Sequence, residues 1–153
     1  MTIRLHDERR YPLARDALVA LWKDPVFQEA RSRHLGTLDV KCVVDGDVVV
    51  LEETRDTGWR PHVYVTRLTT RWDGHGATWT LERLAGPGEA SAAGTIEVRS
   101  ARAACTFVLE GTLEVRVPVL GRMIERLARR GLVVEKDREE RFVRDWIQTI
   151  SST

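Results

Sequence analysis

The sequence is short of most residues and patterns that announce a chemistry. Its two cysteines, Cys42 and Cys105, lie far apart and do not make a disulfide framework. Both fall on apolar positions of alternating stretches, where a free cysteine behaves as a small hydrophobe. The histidines, His6, His34, His62 and His75, show no His-Glu-x-x-His or Cys/His ligand spacing, so no metal site is expected. Gly86-Pro87-Gly88 lacks the third glycine of a dinucleotide fingerprint, and no Gly-Lys-Ser/Thr follows. It reads as a hairpin loop, and no cofactor is expected. Asp45-Gly46-Asp47 is too short for a calcium loop and reads as a turn. There is no Gly-x-Ser-x-Gly elbow, and neither cysteine sits beside a candidate base, so no catalytic residue is assigned. Asp7, Arg9 and His62 are the groups that acid–base chemistry in a pocket could use, but spacing does not bring them together.

Charge of one sign is missing too. The net charge is +1, which gives no argument for nucleic acid or an anionic membrane as the main partner. No apolar run approaches the roughly 18 residues of a membrane span, so no integral membrane segment is expected. Residues 1–13 hold no apolar core of a signal peptide, and the cytoplasm is the expected address.

What is present is patterned. The chain reads as one domain over residues 1–150, with 151–153 as a tail. A strand over 2–10 ends at Tyr11-Pro12. Two short helices follow, the first over about 14–22. The second opens at Asp24-Pro25, an N-cap followed by proline at the first helical position, and stops at Gly36. Residues 37–55 form a hairpin about Asp45-Gly46. Strands are expected over 62–72, 77–84 and 95–100, with Gly86–Gly94 as a small-residue loop. From Cys105 the apolar positions alternate through Phe107, Leu109, Leu113, Val115 and Val117, the period of a half-buried strand. Pro118 ends it, and the period turns helical through Leu120, Met123, Ile124, Leu127, Gly131 and Val134. The predicted class is α+β: about seven antiparallel strands, two short helices after the first and a long C-terminal helix.

These residues carry a resemblance. The opening strand leading into Ala17-Leu18…Leu21-Trp22-Lys23-Asp24-Pro25-Val26-Phe27, with Gly111–Val119, Gly121, Ile124-Glu125 and Phe142…Trp146-Ile147, resembles the START-like (SRPBCC, Bet v 1-like, polyketide cyclase-like) helix-grip superfamily. It is most similar to an uncharacterised, largely actinobacterial branch, and the likeness covers essentially the whole chain. The resemblance implies a curved antiparallel sheet gripping the long helix, with a cavity between them that takes a hydrophobic small molecule or lipid. It transfers no catalytic residue, because these differ between branches.

Read this way, the inward candidates for lining the cavity are Tyr64, Leu68, Trp72, Trp79, Phe107, Leu109, Met123 and Leu127. Aromatic rings with a polar tip suit a mixed pocket; the plainer alternative is that they fill the core. The loops 55–62 and 85–94 and the junction 117–119 should share one end of the sheet, the candidate mouth. In the long helix, the first apolar face continues onto Arg138, Arg141 and Asp145, whereas Phe142, Val143, Trp146, Ile147 and Ile150 point elsewhere. This predicts either a bend near Gly131, with Arg138 at the cavity end, or a second half packed on the two short helices. Arg122, Arg126, Arg129 and Arg130 form a basic stripe, read as a solvated face with Glu125 paired to Arg129.

Three functions fit. The first is a non-enzymatic carrier of a hydrophobic ligand. The second is a cyclase- or aromatase-like enzyme, which needs ionisable or hydroxyl groups converging inside the cavity. The third is a partner-binding module using the outer sheet face, where Arg67, Arg71, Glu97, Arg99, Glu110 and Glu114 are expected.

Overall fold

A computed structural model describes residues 2–56, 63–86, 88–116 and 121–152, with side chains of the last segment described from residue 130 onward. The elements run β1 (Thr2–Tyr11), α1 (Arg15–Trp22), α2 (Pro25–His34), β2 (Asp39–Asp45), β3 (Val48–Asp56), β4 (Val63–Asp73), β5 (Gly76–Ala85), β6 (Glu89–Ala101), β7 (Ala104–Arg116) and α3 (Gly121–Ser151). One seven-stranded sheet has the order β1-β7-β6-β5-β4-β3-β2, every pairing antiparallel. Because β2 to β7 are joined in sequence as a meander, only β1 pairs out of turn. It closes against β7, and the α1–α2 segment carries the chain from one edge strand to the other. The predicted α+β layout, with its two short helices and its long last one, is the one observed.

Local signals act where they were read. The Asp24 carboxylate caps α2 by accepting from the Val26 N–H at 2.9 Å, with Pro25 at the first helical position. One expectation fails: Gly86–Gly94 is not a loop. β6 begins at Glu89 and runs 13 residues through Ala90, Ala92 and Ala93. Small residues lowered the strand signal, but the extended chain suits them because a neighbour needs the room. Trp79, Gly94 and Gly111 are register partners across β5, β6 and β7. A Cβ on Gly111 would lie 2.4 Å from the Trp79 ring, and one on Gly94 would lie 1.8 Å from the Glu110 carbonyl oxygen. The indole lies against bare backbone, which is where glycine inside a strand belongs.

α3 is continuous over 31 residues, about 45 Å long. Its second half packs on the short helices, as one of the two sequence readings required. Phe27 of α2 lies 5.9 Å from Phe142 and 5.5 Å from Trp146, ring centroid to centroid, and Trp22 of α1 joins Phe27 to Phe107 of β7. The expectation for Arg138 is overturned. Arg138 is exposed, and so are Val133 and Val134. The face that turns inward is Glu135, Glu139, Val143 and Ile147, so the buried stripe runs through carboxylates. Among the described residues nothing lies within 4 Å of a Cβ built on Gly131, so no close approach there needs the glycine.

The inward carboxylates are held by cations from other elements. Arg31 of α2 donates to Glu139 at 2.8 Å and doubly to Gln28, and the Gln28 amide donates to the Trp22 carbonyl. The two charged side chains are 10% and 8% exposed. On the other side, Arg9 of β1 bonds Asp7, Asp137 and Glu140. α3 is therefore fixed from two sides by ionic contacts rather than by apolar packing alone.

Two outcomes follow. Gly131→Ala should raise stability by about 1 kcal/mol through helix propensity, whereas Gly94→Ala should lower it by about 3 kcal/mol or more, since backbone must move. Urea unfolding of the two variants checks the contrast. Burial pushes the Glu139 carboxyl up, but Lys136 and Arg31 outweigh it and hold it below its ordinary value. A carboxylate lowered on folding adds stability above its unfolded pKa and loses it as pH falls through the folded one. Glu139→Gln should therefore cost about 3 kcal/mol at neutral pH by leaving Arg31 buried without its counter-charge. It should also flatten the fall in stability on acidification, measured by urea midpoints across pH.

Candidate functional site

The inner face of the sheet, on which the helices lie, changes character along the strands. Register places Cys42, Leu51, Leu68, Leu81, Ala92, Leu113 and Ile3 in one apolar row across all seven strands. Leu51 and Ile3 are buried, but Leu68, Leu81 and Leu113 are only half-buried, as are Leu5 and Leu109 nearby. These leucines pack against the core yet still meet solvent, which makes this stretch of the inner face the candidate ligand surface.

One strand position towards the end where β3, β5 and β7 finish, the same face becomes polar. Glu53 is opposite Thr66, which is opposite Arg83, and Arg55 is opposite Tyr64. The Arg55 guanidinium donates to Glu53 at 3.0 Å and to Glu135 of α3 at 2.9 Å. The second support of Glu53 is the Ser32 hydroxyl of α2, at 2.5 Å. Arg83 stacks its guanidinium over the Tyr64 ring at 4.9 Å. Burial acts on cation and phenol in opposite directions. It works against the Arg55 charge, but Glu53 and Glu135 more than restore it. Tyr64 is pushed up by burial, only partly relieved by Arg55, so its hydroxyl stays protonated and can both donate and accept. The site is thus a leucine floor closed at one end by a bonded Glu–Arg–Glu bridge, a phenol and a second guanidinium.

The eight sequence candidates divide. Tyr64, Leu68 and Leu109 are half-buried on the inner face. Trp72, Trp79 and Phe107 are buried in the core cluster, at 4%, 6% and 3% exposure. The Trp79 N–H donates to the Thr95 carbonyl at 3.3 Å, whereas the Trp72 N–H is buried with no hydrogen-bond partner among the described residues. Met123 and Leu127 lie on α3, and their side chains are outside the described residues, as are the Arg122–Arg129 part of the basic stripe, His62 and the loop carrying Trp59. Of the acid–base candidates, Asp7 and Arg9 do meet, in the ionic contact to α3.

Sequence reasoning missed Glu53, Arg55, Arg83 and Glu135. A signal existed: Val49, Leu51, Glu53 and Arg55 share one parity of β3, so a charged pair interrupts an inward face.

Elsewhere the chemistry is thin. Both cysteines are buried and free, and burial pushes the Cys42 thiol up to about 11, far from a reactive thiolate. Among the described residues no group of His, Cys, Asp and Glu could hold a metal. The outer sheet face carries its charges in pairs, Arg67 with Glu52 and Glu82, and Arg99 with Glu97. A shallow hollow of about 560 Å3 lies there over the glycine pair, rimmed by Arg4, His6, Thr95, Glu110 and Thr112. Its His6 is already paired to the exposed Glu8 and Glu110.

The same architecture occurs in solved structures. A Thermus thermophilus protein, TTHA0849, superposes with a TM-score of 0.74 at 15% identity, covering 97% of this chain and 99% of that one. The Zhui aromatase/cyclase of a Streptomyces species gives 0.64 at 13% identity, over 92% of each chain. Norcoclaurine synthase from Thalictrum flavum, in complex with dopamine and hydroxybenzaldehyde, gives 0.61 at 19% identity, over 94% of this chain and 87% of that one. At these identities the likeness is one of fold, and the fold is the helix-grip expected from the sequence. No helix among the described residues is long and apolar enough to cross a membrane. A comparison with curated protein sequences finds no match. Residues 7–147 match a family described as "Protein of unknown function (DUF2505)", and the chain belongs to that family.

Proposed function

We propose that the protein binds and carries a hydrophobic small molecule or lipid in the groove between the sheet and α3. The observation that carries this reading is the row of half-buried leucines, Leu68, Leu81 and Leu113, on the helix-covered face. A ligand there removes that apolar area from water, worth about 25 cal/mol per Å2. In this reading Tyr64, Leu68 and Leu109 line the groove, and Trp72, Trp79 and Phe107 form the packed floor behind. The mouth is the end where β3, β5 and β7 finish and β4 and β6 begin. The chain is a START-like protein of a largely actinobacterial branch, acting in the cytoplasm.

A second reading has an observation in its favour. A cyclase- or aromatase-like enzyme requires ionisable and hydroxyl groups converging on the cavity, and Glu53, Arg55, Tyr64, Arg83 and Glu135 converge at one end. The similar Zhui protein is named as an aromatase/cyclase, which supports keeping this reading beside the first. The third, a partner module on the outer face, has less support, because charges already paired on a solvated surface make a weak hot spot.

Native mass spectrometry of the purified protein, before and after solvent extraction, should show a reproducible co-purified mass that extraction removes. A single apo mass, together with failure of a broad lipid and quinone panel to displace an apolar fluorescent probe, would count against carriage. Leu68→Trp should fill the groove and weaken probe binding by about tenfold, with less than about 1.5 kcal/mol change in stability because the site is half open. Fluorescence titration and urea unfolding of that variant check both halves.

A further inference from the structure

The polar end of the groove has a charge balance that selects among ligands. Among the described residues its titratable groups are two carboxylates, Glu53 and Glu135, two guanidiniums, Arg55 and Arg83, and the Tyr64 phenol. The charges of these described groups sum to zero. Arg55 is engaged by both carboxylates, and Arg83 is stacked on Tyr64. An arriving carboxylate or phosphate would meet Glu53 and Glu135, and to pair with Arg55 it would have to displace one of them, giving up a formed ion pair, while the Arg83 guanidinium already lies over the Tyr64 ring. A neutral hydroxyl meets no such penalty. It can donate to a carboxylate oxygen of Glu135, which is 36% exposed, and accept from the Tyr64 hydroxyl, so that its donor and one of its two lone pairs are used. An ether end could accept from Tyr64 but has no proton to give Glu135, and a hydrocarbon end would serve neither group when it covered them.

Resting on the carrier reading above, we propose that the groove takes an apolar molecule ending in an uncharged hydroxyl, an alcohol or phenol. The Glu53–Arg55–Glu135 bridge holds that hydroxyl and turns away anionic lipids and fatty acids. The apolar body lies along Leu68 and Leu81, and the hydroxyl stays at the mouth end. Glu135 is the specificity-determining residue, because it comes from α3 and completes the bridge only when helix and sheet are in place.

The test is displacement of Nile red, an uncharged probe, by three matched compounds at mildly alkaline pH: decanol, its isomer methyl nonyl ether, and decanoate. Non-specific partition favours the ether, which has no donor to desolvate. The proposal expects the reverse, with decanol displacing the probe at about fivefold lower concentration than the ether and decanoate the weakest of the three. In Glu135→Gln, shown to be folded by circular dichroism, one negative charge is gone and decanoate should gain on decanol by about threefold or more. An ether that equals or beats the alcohol overturns the proposal, as does a decanoate-to-decanol ratio unchanged in the folded variant. If all three compete alike, the groove binds ligand and only this selectivity is wrong. If Nile red itself does not bind, the carrier reading has failed and takes this proposal with it.

Discussion

The fold depends on where α3 lies, and α3 is located by the salt bridge between Arg31 and Glu139. Most helices in α+β proteins are held by an apolar stripe alone. Here the inward stripe of the second half runs from Glu135 and Glu139 to Val143 and Ile147. An apolar stripe tolerates sliding by a turn at modest cost, because one leucine resembles another. A buried carboxylate does not, because leaving its cation strands two charges in a poorly hydrated place. Arg31 comes from α2, Arg9 from β1 and Arg55 from β3. The helix is triangulated by guanidiniums on three separate elements.

How far the sequence revealed this depended on which force was in charge. Where alternation or a cap decided the structure, as in β7, the Asp45-Gly46 turn and the Asp24 cap of α2, the pattern was readable. Where a tertiary partner decided it, the pattern misled. Ala90–Ala93 have weak strand propensity, yet they extend because β6 is paired on both sides and Gly94 lies close against the β7 backbone at Glu110 and Gly111. The apolar face read through Leu127, Gly131 and Val134 continues onto Arg138, but Val134 and Arg138 face solvent and Glu139 faces inward. Single-residue hydrophobicity cannot show that a charge has a buried partner 108 positions away, as Glu139 has in Arg31.

The candidate site follows the same division. The leucines of this row lie on strand positions whose parity is legible, and the same parity places Tyr64, Leu68 and Leu109 on the inner face. The polar end was not, because its members come from β3, β4, β5 and α3 and become neighbours only through sheet register. A charged pair on the inward parity of β3 is the trace that remains in one dimension. Such an interruption is costly for stability unless something offsets it, which is a physical reason to look there first for function.

The indole of Trp79 resting on two glycines has a consequence of its own. At that point the inner floor and the outer hollow are separated by a single thickness of backbone, with no side chain from Gly94 or Gly111 on either surface. The ring and a Cβ at position 111 compete for one volume. Relatives that trade a smaller side chain at 79 for a larger one at 111, or the reverse, would deepen or raise the floor without touching a strand, a turn or an ion pair. The groove's capacity is in that sense an exchangeable quantity held by one pair of positions, independent of the contacts that hold the helix over it.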